Sequence, residues 1–147
     1  MEKEKLVLIP KAEKYIEYII ELIIKLPRTE KFSIGNEYKE SMYKMLECIM
    51  YLNKVKSGSN YRNKYIKQNT NESITGNIER IDITQDKDLN LIYLNKIDTL
   101  LNCQRIYLRI MKKYKWIDEK KFNVAIEKIY EIGKILGGLI KYYGKEH

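Results

Sequence analysis

The sequence predicts an all-α protein, an antiparallel up-and-down four-helix bundle with a long insertion between its second and third helices. Three observations predict it. Two prolines and seven glycines in 147 residues are too few for the many turns of a sandwich or barrel. Apolar residues recur at intervals of three and four along four long stretches. Residues 55–87 alone break that period. The length fits a single domain spanning 1–147.

The first helix is expected over about residues 10–26, with Ile16, Ile19, Ile20, Ile23 and Ile24 on one face and Glu17, Glu21 and Lys25 opposite. Pro10 suits a first-turn position and Pro27 stops the helix. The second is expected over 34–54, with Ser33 as N-cap and Glu37 in the first turn. Its inward stripe is Tyr38, Met42, Met45, Leu46, Ile49 and Leu52.

Residues 55–87 crowd Ser57, Gly58, Ser59, Asn60, Asn69, Thr70, Asn71, Thr75, Gly76 and Asn77 together, which reads as a loop insertion. A third helix over about 88–114 turns Ile97, Leu100, Leu101, Gln104, Tyr107, Leu108, Met111 and Tyr114 inward. Asp118 then caps a fourth helix over 119–142, with Ile117 and Phe122 at the two positions of a hydrophobic staple. Its predicted inward residues are Phe122, Ala125, Ile126, Ile129, Gly133, Leu136, Gly137 and Ile140. Gly133, Gly137 and Gly138 inside the pattern suggest close helix approach.

With 44% apolar and 33% charged residues, the chain can bury a core and solvate a surface, so general disorder is excluded. The formal net charge is +8, from 28 Lys plus Arg against 20 Asp plus Glu. Thirteen tyrosines against two phenylalanines, together with abundant Ile, Lys and Asn, mark a composition shaped by low-GC codon usage. The positions of the few arginines are therefore more informative than the lysine total.

Cys48 and Cys103 lie far apart, and His147 is the one histidine, so no zinc ligand set can be assembled. The cysteines read as reduced, half-buried packing residues of a cytoplasmic protein. The N-terminal apolar run is too short for a signal peptide. No apolar run reaches the ~18 residues of a membrane span.

Enzyme templates fail in turn. There is no phosphate-cradling glycine loop and no Ser or Cys with a histidine base. Acid pairs such as Glu17 and Glu21 are what a solvated helix face carries. The reading is a non-enzyme that needs no cofactor or metal.

Between Lys96 and Lys115 stand Lys96, Arg105, Arg109, Lys112, Lys113 and Lys115 against the single acid Asp98. Arg105 and Arg109 are one turn apart, so both guanidinium groups could grip successive phosphates or carboxylates. A solvated face whose cations are favoured by the helix dipole accounts for the same stripe equally well. A second basic run, Lys54, Lys56, Arg62, Lys64 and Lys67, interleaves with Tyr61 and Tyr65 and could stack bases while pairing phosphates. Codon bias alone would also produce it. Tyr15, Tyr18, Tyr43, Tyr51, Tyr142 and Tyr143 exceed what one small core requires, which points to self-association.

The segments LPRTEKFSIGNEYKESMYKMLECIMYLNKV (Leu26 to Val55), CQRIYLRIMKKYKWIDEKKF (Cys103 to Phe122) and EIGKILGGLIK (Glu131 to Lys141) resemble, in their order and spacing, the Avd-like four-helix-bundle proteins. These are the accessory variability determinants of diversity-generating retroelements, related to four-helix proteins encoded in ribosomal RNA intervening sequences. The resemblance implies a basic bundle that forms a ring-like homopentamer and binds the retroelement reverse transcriptase and its nucleic acid. It would support mutagenic copying of template-repeat RNA into cDNA without catalysing it. The two arginines that recur in the family's third helix match Arg105 and Arg109, followed by Lys112 and Lys113. Three features depart from the family: the insertion at 55–87, Lys134 in place of a frequent Arg, and Leu139 in place of a frequent Trp. A structural oligomeric adaptor without nucleic-acid binding, or an intervening-sequence protein, are the alternatives.

Overall fold

The computed structural model describes residues 2–55 and 86–145. Four long helices and one single-turn helix occur among the described residues, with no strand. They are α1 (Glu2–Ile24), the short α2 (Arg28–Lys31), α3 (Ile34–Lys54), α4 (Asp86–Lys113) and α5 (Glu119–Gly144). Both α1 and α4 pack against α3 and α5, so the four long helices close around one core as a helical bundle. The expected loop at 56–85 lies outside the described residues.

The core is built from one stripe per helix. It takes Leu8, Tyr15 and Ile19 from α1, Tyr38, Met42, Met45, Ile49 and Leu52 from α3, Ile97, Leu101, Leu108 and Met111 from α4, and Ala125, Ile129, Ile132, Leu136 and Leu139 from α5. Each such Leu, Ile or Met burial stabilises by about 1.5–3 kcal/mol before chain entropy is set against it. The structure departs from the sequence expectation in the rotation of α5 and at the end of α4. On α5, Ile132, Leu139 and Tyr143 are buried while Gly137 is exposed, because isoleucines on either side of the true stripe leave its rotation undetermined by spacing alone. On α4, Tyr114 lies beyond the helix end and is 61% exposed.

α1 begins eight residues earlier than expected, and Pro10 lies inside it. An interior proline normally costs about 3 kcal/mol. Packing carries the helix past it, because Lys5 and Leu8 continue on its N-terminal side the buried stripe of Ala12 and Tyr15. The sequence hid this, since the first position of that stripe is a lysine. The Nζ of Lys5 donates to the Val55 carbonyl at 3.0 Å, lies 3.5 Å from the Glu2 carboxylate and sits 5.0 Å from the Tyr143 ring centre. Burial pushes its ammonium below the ordinary lysine value, and Glu2 partly opposes that.

A buried polar chain fixes the rotation of α4. The Tyr15 hydroxyl donates to Gln104 Oε1 at 2.8 Å, so Tyr38 must donate in the 2.8 Å bond between the two phenols. Gln104 Nε2 donates to Ser41 Oγ at 3.1 Å, and Ser41 donates to the Leu100 carbonyl at 3.3 Å. With Gln104 locked inward, Arg105 must fall beside the core and Arg109 one turn further on, away from it.

At the two N-termini the capping readings divide. Asp118 accepts from the Lys121 amide at 2.7 Å, with Ile117 buried and Phe122 packed on the core. Ser33 stands at the N-cap of α3 without capping it, since its hydroxyl reaches back to the Thr29 carbonyl at 3.2 Å and the Glu30 carboxylate at 3.1 Å, one of which takes its single proton.

Candidate nucleic-acid interface

The basic residues of α4 do not share one face. Lys96 precedes Arg105 by nine positions, about two and a half helical turns, which sets the two on opposite sides. Lys96 lies on the α3 side, 5.9 Å from the Tyr93 ring centre, in a groove of about 790 Å³ that Lys44, Glu47, Cys48 and Tyr51 also line. Tyr51 and Tyr93 stack there at 5.8 Å.

Arg105 is half-buried in the seam between α4 and α5. Its guanidinium bonds to the Asn102 side-chain oxygen one turn back. It also lies over Gly133, where a Cβ would come within 2.8 Å of it. The tight neighbour at Gly133 is the movable end of the Arg105 side chain rather than a helix backbone, and nothing lies within 4 Å of a Cβ at Gly137 or Gly138, so the expected close helix approach is not seen at these glycines. The charge of Arg105 also reaches the buried Tyr15 phenol and opposes the rise that burial imposes on it.

Arg109 is exposed, as are Lys113 and Lys115. Among the described residues no carboxylate forms an ion pair with Arg105, Arg109, Lys113 or Lys115. Lys112 is engaged within the chain, 4.4 Å from the Phe122 ring centre and 3.9 Å from the Glu119 carboxylate. Contacts this exposed are worth at most about 1 kcal/mol. Across residues 109–121 six cations stand against Asp118 and Glu119, and Asp118 is already occupied as the α5 cap.

The end of α4 is a Schellman turn. The Trp116 amide donates to the Met111 carbonyl at 2.9 Å and the Lys115 amide to the Lys112 carbonyl at 3.0 Å. Lys115 holds the left-handed position of that turn at φ 60°, where glycine is usual. On either side of it Tyr114 and Trp116 stack, with ring centres 5.3 Å apart and planes at 21°. Trp116 packs on the core and Tyr114 stands out. Tyr114 is thus a surface residue rather than the inward one that its spacing predicts. The alternation in Lys112, Lys113, Tyr114, Lys115 and Trp116 was the available signal, because aromatic rings set among cations mark nucleic-acid surfaces.

Of the second basic run, Lys54 is the exposed last residue of α3, while Lys56, Tyr61, Arg62, Lys64, Tyr65 and Lys67 lie outside the described residues. Of the tyrosines assigned to self-association, Tyr15 and Tyr143 are buried instead, because their positions continue the inward stripes of α1 and α5. Tyr18 is half-buried, and Tyr43, Tyr51 and Tyr142 are exposed. Cys48 is half-buried and Cys103 is exposed, one step from the inward Gln104, and both are free thiols. Among the described residues no group of His, Cys, Asp and Glu could hold a metal ion, and no helix is long and apolar enough to cross a membrane.

Compared with protein-family models, curated proteins and solved structures, the chain matches none of them.

Proposed function

We propose that the chain is an Avd-like accessory protein of a diversity-generating retroelement. In this reading a cytoplasmic homopentamer binds RNA and the reverse transcriptase, and supports mutagenic cDNA synthesis without catalysing it. The observation that carries the proposal is the cationic end of α4. Arg109, Lys113 and Lys115 are exposed and free of acid partners among the described residues. Arg105 reinforces the field from the seam, and Lys96 serves a separate surface.

The resemblance is to an antiparallel up-and-down bundle, and contacts that run in opposite sequence directions support that topology. Lys5 meets Val55 while Tyr15 meets Tyr38, and Tyr51 meets Tyr93 while Tyr38 meets Tyr107. Lys5 meets Tyr143 while Lys11 meets Glu131, and Arg105 meets Gly133 while Lys112 meets Glu119. Exposed Tyr43, Met50, Tyr51 and Ile92 favour assembly with further copies, since apolar groups left on a small protomer are commonly covered by partners. Repeating the cationic end by symmetry raises avidity without any one strong contact.

The test is RNA binding followed by fluorescence anisotropy across a salt titration. Wild type should lose affinity steeply with salt, and R109E/K113E should bind at least about tenfold more weakly with a shallower salt slope. RNA binding that the double variant leaves unchanged overturns the α4 assignment. If neither form binds RNA while the double variant loses a protein partner in pull-down, the chain is an adaptor.

A further inference from the structure

We propose that Tyr114, backed by Trp116, is a stacking platform for an unpaired base, so that the α4–α5 turn selects single-stranded over duplex nucleic acid. This rests on the RNA-binding reading above and adds to it the class of strand. A duplex keeps its base faces covered by their neighbours and offers only its phosphates along its length. A single strand can offer a base face and its phosphates together. The turn carries the complement of both, because Tyr114 is 61% exposed and lies in sequence between the exposed cations Lys113 and Lys115, with Arg109 one turn before Lys113.

Two further observations support the assignment. The Tyr114 ring already stacks at 5.3 Å and 21° on an indole that packs on the core, so a base can extend an existing stack. The second is the backbone at Lys115. A left-handed lysine is strained where glycine would not be, and strain of this kind is held where the side chain is used. At this position the turn retains a cation between the two aromatic residues in sequence. An apolar protein partner accounts poorly for an aromatic surface surrounded by unneutralised lysines, because their desolvation would oppose its docking.

Trp116 is the only tryptophan, so its fluorescence reports this stack directly. The full-length protein is titrated with an oligoadenylate of about 12 nucleotides and with a blunt RNA duplex of equal length, reading anisotropy and Trp116 quenching together. Oligoadenylate should quench Trp116 and the duplex should not. Y114A should weaken oligoadenylate binding roughly tenfold or more and leave duplex binding unchanged, while Y114F retains both. R109E/K113E should weaken both ligands. If Y114A binds oligoadenylate as wild type does while R109E/K113E fails, the cationic reading stands and the platform falls. Equal weakening of both ligands by Y114A also overturns the platform, since it marks a structural role. If wild type binds neither ligand at low salt, the RNA-binding reading itself is lost.

Discussion

Lys115 is where local backbone energy and surface charge disagree most openly. A non-glycine residue in the left-handed region costs about 1–2 kcal/mol, and glycine would remove that while adding about 0.4–1 kcal/mol of unfolded-chain entropy. K115G should therefore stabilise the protein by about 0.5–1 kcal/mol, raising Tm by about 2–4 °C in a scanning calorimeter. The same variant should bind RNA several-fold more weakly, because it deletes one of the exposed cations beside Tyr114. A variant that is neither more stable nor weaker in binding would show that the strained lysine has no role. Arg105 teaches a related lesson. Its place in the sequence stripe is readable, but its position over Gly133 in the α4–α5 seam is not, because that depends on how the two helices pack.

At the scale of the element, the chain of hydrogen bonds through Gln104 sets which residues of α4 reach the surface. Q104L keeps the volume but removes the acceptor of the Tyr15 proton and the donor to Ser41, which keep only their bonds to Tyr38 and the Leu100 carbonyl, at about 1–3 kcal/mol. Urea denaturation should therefore show a lower midpoint at an unchanged slope. An unchanged midpoint would mean that the network does not set the register. Helix existence, the end of α1 before Pro27 and the Asp118 cap were legible because each rests on neighbours in sequence. The early start of α1 was not, since it depends on Lys5 reaching Val55, 50 residues away. Nor was the rotation of α5, where isoleucines flank the true stripe and only packing against α1 and α4 chooses between phases.

For the molecule as a whole, these buried polar groups make stability depend on alkaline pH in a way the surface lysines cannot. Burial is the main cause that raises both Tyr15 and Tyr38 well above the ordinary phenol value, and their mutual bond raises Tyr38 further. Below about pH 10 both phenols are protonated in either state and contribute no slope. Above it the unfolded chain releases protons that the folded chain keeps, so the folded state binds more protons and stability falls as pH rises. Two retained protons correspond to about 2.7 kcal/mol per pH unit. Lys5 acts with the opposite sign. Its lowered value means that the unfolded chain binds the extra proton between the folded and ordinary lysine values, so this group adds stability as pH rises through that window. The net profile should rise slightly or stay flat approaching pH 10 and then descend steeply. Urea unfolding of wild type and Y15F/Y38F at successive pH values separates the terms. The variant should be less stable near neutrality, because Gln104 loses its donor, yet its alkaline descent should be shallower by about two protons. Parallel descents in the two proteins would mean that the phenols are not held protonated by the core, and would remove the ordering on which the rotation of α4, and with it the exposure of Arg109, has been argued.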